Sequence, residues 1–237
     1  MNTMEQEQRL WRWGGLAGVL GGIIFILVFV LVGAFVGLDP AEPEGLVIRF
    51  PDIRAARTVE DGLYLMVLAL WVAHFLALYR ALRATSLASA LVGSVLGLLG
   101  LGVLAAGALP HVVMVRLSDL YHAPGATPGD QATLVLLWQA TQGIFDALLI
   151  AGLVLLPFSL IALGMAMRRA PAFGKNSSRV SMTLGVVGVV AASALLVDPL
   201  APVPAALGIL ALIVFHLVLG WKVYSLSRTR QALLTMG

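Results

Sequence analysis

The chain predicts an all-α integral membrane protein, a bundle of six transmembrane helices with both termini cytoplasmic. Three observations carry that reading. Apolar residues make up 60% of the 237 positions and charged residues only 11%, against about 45–50% and 25% in soluble domains. The apolar residues gather into six long runs separated by short polar segments. The lysines and arginines sort to alternate segments between those runs. With no cysteine in the chain, disulfides and thiolate metal or redox sites are excluded.

The fourth run is the clearest. Ala147 to Met167 holds 21 uncharged residues and stops at Arg168 and Arg169. At 1.5 Å per residue it makes a helix of about 31 Å, the thickness of a bilayer's hydrocarbon core. The six spans are placed at about 14–37, 62–80, 87–110, 133–168, 180–197 and 204–224.

Taken in order, Met1 to Trp13 reads as a short polar arm. The 26 uncharged residues from Trp13 to Leu38 are too long for the apolar stretch of a cleavable signal and are kept as span 1. Gly14, Gly18 and Gly22 recur every four residues there, a face that lets a second helix approach closely. Leu38 to Asp61 is the longest stretch outside the membrane, broken by Pro40, Pro43 and Pro51, with six acids against three arginines. So short a segment cannot form a domain with its own core. Span 2 is closed by Arg80 and Arg83, and span 3 carries Gly93 and Gly97 four apart, with Pro110 at its end. His111 to Asp130, with Pro124, Gly125, Pro128 and Gly129, reads as a loop. Asp198 to Pro204 is a tight connection into span 6, and Lys222 snorkels beyond that span.

Orientation follows from counting cations. The arm, the 2–3 turn, the 4–5 loop and the tail hold Arg9, Arg12, Arg80, Arg83, Arg168, Arg169, Lys175, Arg179, Lys222, Arg228 and Arg230, against Arg49, Arg54, Arg57 and Arg116 opposite. Among the acids only Glu5 and Glu7 lie on the arginine-rich side. The pI near 9.7 therefore reflects a cytoplasmic rim facing anionic lipid headgroups, at about 1 kcal/mol per residue near the surface, and no nucleic-acid partner is expected.

Two stretches resemble a family. Leu78-Tyr79-Arg80-Ala81-Leu82-Arg83 closes span 2, and Leu163-Gly164-Met165-Ala166-Met167-Arg168-Arg169-Ala170-Pro171-Ala172-Phe173-Gly174 closes span 4. With these the chain resembles, over most of its length, the six-helix bacterial membrane family catalogued as domain of unknown function 4386. The resemblance implies a six-span topology in the bacterial cytoplasmic membrane. It brings no activity, so no functional residue is carried over.

Polar groups inside spans are costly, so candidate sites are sought among them. Asp146 is the only acid in a span and shares a face with Gln139 and Gln142, a candidate path for a small solute or ion. It stands 22 residues before Arg168, about 33 Å along a straight helix, so it reads equally as an interfacial face of a helix that projects from the membrane. His74 and His216 lie at one depth on separate spans, about 16–18 Å from the outer ends. They suit axial ligation of haem, or a buried structural pair. His111, Asp119 and His122 offer a metal set on the outer side, with Asp61, Asp146 and Asp198 nearby, if Pro110 bends the chain; the alternative is an aqueous loop. Ser159 opposite His216 has a nucleophile's partners but no small-residue elbow, and is expected to bond a carbonyl freed by Pro157. No G-x-S-x-G, H-E-x-x-H or phosphate-loop pattern occurs. Three functions stay open: a non-catalytic accessory or assembly subunit that packs on a membrane-protein partner or a second copy through its glycine faces; a permease using Asp146, Gln139 and Gln142; and a haem- or metal-binding redox protein using His74 and His216.

Overall fold

In the computed structural model, which describes residues 3–37, 42–199 and 201–235, the chain is helical almost throughout. The helices are α1 (Thr3–Leu31), α2 (Pro43–Leu82), α3 (Leu87–Gly107), α4 (Leu109–Tyr121), α5 (Pro128–Arg168), α6 (Gly174–Val197) and α7 (Pro202–Thr235). α1 ends in one π-turn, Val32–Val36, closed by Gly37 at φ 68°, a left-handed conformation that side chains rarely adopt. α3 runs into α4 through a helical Ala108, so they make one crossing unit. Six units are long and apolar enough to cross a membrane, as expected from the sequence.

Those six form a ring in chain order, each packing on its neighbours in sequence, with α7 closing back on α1. Short connections leave little choice, because an antiparallel neighbour is the nearest surface available. The start of α1 and the end of α7 therefore lie at one end of the bundle. That end carries Arg80 and Arg83, which reach Glu7 at 3.5 and 3.7 Å, and an open cleft lined by Arg168, Lys175 and Arg179. It is the basic end below; the other is the acidic end.

The segments outside the spans differ from the sequence expectation. The polar arm is the opening of α1, and the tail prolongs α7. Pro40 and Leu200 lie outside the described residues. Pro43 sits in the first turn of α2, where a missing N–H costs nothing, and Pro51 lies within the helix rather than breaking it. The expected loop from His111 to Asp130 contains α4 and the start of α5. α5 is opened by a reciprocal cap: the Thr127 N–H donates to the Asp130 carboxylate at 3.1 Å, and the Asp130 N–H to the Thr127 hydroxyl at 3.2 Å.

With 40 and 41 residues, α2 and α5 are each about 60 Å long, twice the hydrocarbon thickness. The excess gathers with α4 at the acidic end as a three-helix cap. Its core is Val47, Phe50, Met114, Leu117, Tyr121 and Trp138, with the Phe50 and Trp138 rings edge to face at 5.2 Å. None of these pieces buries enough surface alone, which is why the segment before Asp61 was expected to lack a core. Three pieces separated by tens of residues supply it together.

Within the bundle, glycines let neighbouring helices approach closely. Gly14 faces Ala77 of α2 and Gly18 faces His74, while Gly93 and Gly97 meet Leu163, Phe75 and Ser159. Gly22 instead meets Leu217 of α7. Each four-residue step turns about 40° past a full revolution, so by Gly22 the row has rotated about 80° onto the next neighbour. One close backbone-to-backbone approach was not singled out in the sequence. A Cβ on Gly220 would stand 2.8 Å from the backbone of both Gly15 and Val19. Serines add bonds across helices: Ser159 Oγ donates to the Gly93 carbonyl of α3 at 2.6 Å, and Ser181 and Ser178 of α6 donate to the Leu160 and Gly164 carbonyls of α5 at 2.6 and 2.8 Å.

Candidate functional site

The two halves of the bundle differ. Toward the basic end the axis is solid, with Trp71, Phe75, Leu78, Leu156, Leu160, Leu163 and Phe215 fully buried. Toward the acidic end it is hollow, in two adjacent chambers. The lower chamber, about 170 Å³, lies between α1, α2, α3, α5 and α7. Its walls are apolar: Phe25, Phe29, Tyr64, Leu104, Leu149, Leu153 and Leu212, with Val32 supplied by the π-turn. The upper chamber, about 320 Å³, lies under the cap between α2, α4 and α5, and is lined by Phe50, Arg57, Trp138, Gln142 and Asp146 among others. Glu60, Asp61, His111 and Phe145 line both.

Charge is concentrated at that junction. His111 Nδ1 and Asp61 Oδ1 are 2.6 Å apart, and Phe145 stacks on the imidazole with centroids 4.6 Å apart. Arg57 pairs with Glu60 at 3.0 Å. The Gln142 amide donates to Asp146 at 3.1 Å, and no basic group of the described residues stands within ion-pair distance of Asp146. Each group arrives by a separate rule of local structure. Asp61 precedes the apolar part of α2, Pro110 starts α4 and so turns His111 inward, and the projecting part of α5 carries Gln142 and Asp146. Three carboxylates thus meet one guanidinium and one imidazole.

The floor is aromatic. Trp71 lies edge-on to Phe25 at 5.3 Å and stacks on His216 at 4.0 Å with ring planes 5° apart. Phe75 and Phe215 stand edge-on to His216 at 5.3 and 5.1 Å. His74 Nδ1–H donates to the Gly14 carbonyl at 3.0 Å, while His74 Nε2, both nitrogens of His216 and the Trp71 indole N–H have no hydrogen-bond partner among the described residues.

The sequence-derived candidates separate on this geometry. Asp146 and Gln142 line the cavity; Gln139 faces away and is exposed. His74 and His216 do meet, but edge to face with centroids 5.1 Å apart and both fully buried. A porphyrin held by two imidazoles must lie between them, and these rings leave no gap for it, so the haem reading does not fit. The outer metal set is not assembled. Asp119 pairs with Arg54 at 2.8 Å, His122 Nδ1–H donates to the Ser118 carbonyl of its own helix at 2.9 Å, and His111 is committed to Asp61. No group of three metal-ligating side chains forms among the described residues. Ser159 is tied to Gly93 rather than to a carbonyl freed by Pro157, because the glycine opens that carbonyl to its neighbour across the helix interface. The meeting of Glu60, Asp61, His111 and Asp146 at one level was missed as a unit. Its signal was available, since all four lie at span boundaries on the same side.

Comparison with protein-family models, with curated proteins and with solved structures finds no match for this chain. The class is accordingly set by architecture: an all-helical bundle with six helices long and apolar enough to cross a membrane among the described residues, with a pair of chambers toward its acidic end.

Proposed function

We propose that the chain is a small-solute carrier of the bacterial cytoplasmic membrane that takes its solute from the extracytoplasmic side. The observation that carries the reading is the one-sided cavity, hollow from the acidic end and closed by the Trp71–His216–Phe75–Phe215 layer below. A carrier needs a site open to one face and sealed from the other. The sidedness rests on the arginine-rich basic end, which the positive-inside rule places in the cytoplasm together with both termini.

The accessory-subunit reading drew on the glycine faces, and these are occupied within the chain. Gly14 and Gly18 pack on α2, Gly22 on α7, and Gly93 and Gly97 on α5 and α2. A partner would have to use another surface.

The cysteine-free chain makes the test direct. In right-side-out vesicles, Leu149→Cys in the lower chamber is expected to react with a membrane-impermeant maleimide added outside. Leu160→Cys in the solid half is expected to stay unlabelled. Labelling of Leu149→Cys from the cytoplasmic side only, or of both positions alike, would contradict the inlet.

A further inference from the structure

We infer that the two chambers form one site for an organic cation, a primary ammonium carrying a single aromatic ring, with the ring in the lower chamber and the ammonium on Asp146. The inference rests on the inlet proposed above and adds the class of solute. Volume sets the apolar part: a dry apolar cavity near 150 Å³ holds benzene, and the lower chamber is about 170 Å³ with phenyl and leucine walls. Charge sets the polar part. Asp61 is hydrogen-bonded to His111 and Glu60 is paired with Arg57, whereas among the described residues Asp146 is hydrogen-bonded to the Gln142 amide and feels a cation only through the more distant His111. Three carboxylates, Glu60 and Asp61 bordering both chambers and Asp146 in the upper one, face one guanidinium and one imidazole, so the excess charge above the apolar chamber is negative. Burying a carboxylate without a counter-charge is costly, and a cation that supplies one gains what an alcohol cannot. Phe145, which lines both chambers, adds a ring face where the ammonium must pass. An anionic headgroup in the same place would meet three carboxylates, and a neutral lipid chain would leave Asp146 as it is.

The test is calorimetric titration of the full chain in lipid nanodiscs with 2-phenylethylammonium, 2-phenylethanol and phenylacetate. The ammonium is expected to bind at least about tenfold tighter than the alcohol, with phenylacetate weakest. Asp146→Asn should erase the ammonium's advantage and leave the alcohol's affinity in place, Asp146→Glu should keep the advantage, and Leu149→Trp should weaken both ligands by filling the ring chamber. Equal binding of alcohol and ammonium, tightest binding of phenylacetate, or a preference that survives Asp146→Asn would overturn the inference. If all three ligands fail to bind while Leu149→Cys is still labelled from outside, the solute class is wrong and the inlet stands. If the labelling fails too, both fall.

Discussion

His216 shows how much a single position depends on its neighbours. Its imidazole lies flat on Trp71, ringed edge-on by Phe75, Phe215 and His74, with neither nitrogen bonded to a described group. A buried polar group without a partner costs on the order of 1–3 kcal/mol, whereas an aromatic ring of similar shape would keep the stack. His216→Phe is therefore expected to keep or raise the melting temperature of the purified protein. A loss of more than about 2 kcal/mol would show instead that the nitrogens are bonded in the membrane. From the sequence, His74 and His216 share a depth, and that much is right. Whether two imidazoles clasp an iron or touch each other is a matter of a few ångströms, which depth counting cannot reach. Asp146 is the converse case. Its place at a span boundary was legible, but the company it keeps, Asp61 and His111 from two other helices, was not.

Among the elements, the cap departs furthest from expectation. Pro43, Pro51 and the Pro124–Gly129 stretch are turn and breaker signals, and they mark the region as irregular. Helix wins around Pro43, Pro51 and Pro128, because proline is free at a first turn and because α2, α4 and the projecting part of α5 bury a common apolar core, whereas His122 to Thr127 keeps its turn between α4 and α5. Trp138 is the largest contributor to that core and also lines the upper chamber. Trp138→Ala should cost about 3–5 kcal/mol, lodged in the cap rather than the bundle. Limited proteolysis should then cut between residues 43 and 60 or 109 and 130 faster than in the parent chain, with the six-helix bundle resistant. Faster cleavage at the basic-end loop alone would mean that the cap is not an independent packing unit.

For the whole molecule, the ring order and the position of the hollow make a prediction about sidedness. Reporter fusions after Arg83 and after Gly174, both at the basic end, are expected in the cytoplasm, and a fusion after Gly125 in the cap is expected outside. A cytoplasmic signal from the Gly125 fusion would invert the bundle and turn the inlet toward the cell interior. The residues by themselves determined that the chain forms helices long and apolar enough to cross a membrane, how many of them there are, and which end carries the arginines, because hydropathy and charge sorting act along the chain and need no knowledge of packing. The tertiary structure decided which glycine meets which helix, that three outer segments share a core, and that Asp146 and Gln142 line one cavity with Asp61 and His111. Those outcomes depend on contacts between residues tens of positions apart, and in a membrane such contacts are selected by shape, which leaves no period or composition in the sequence to read.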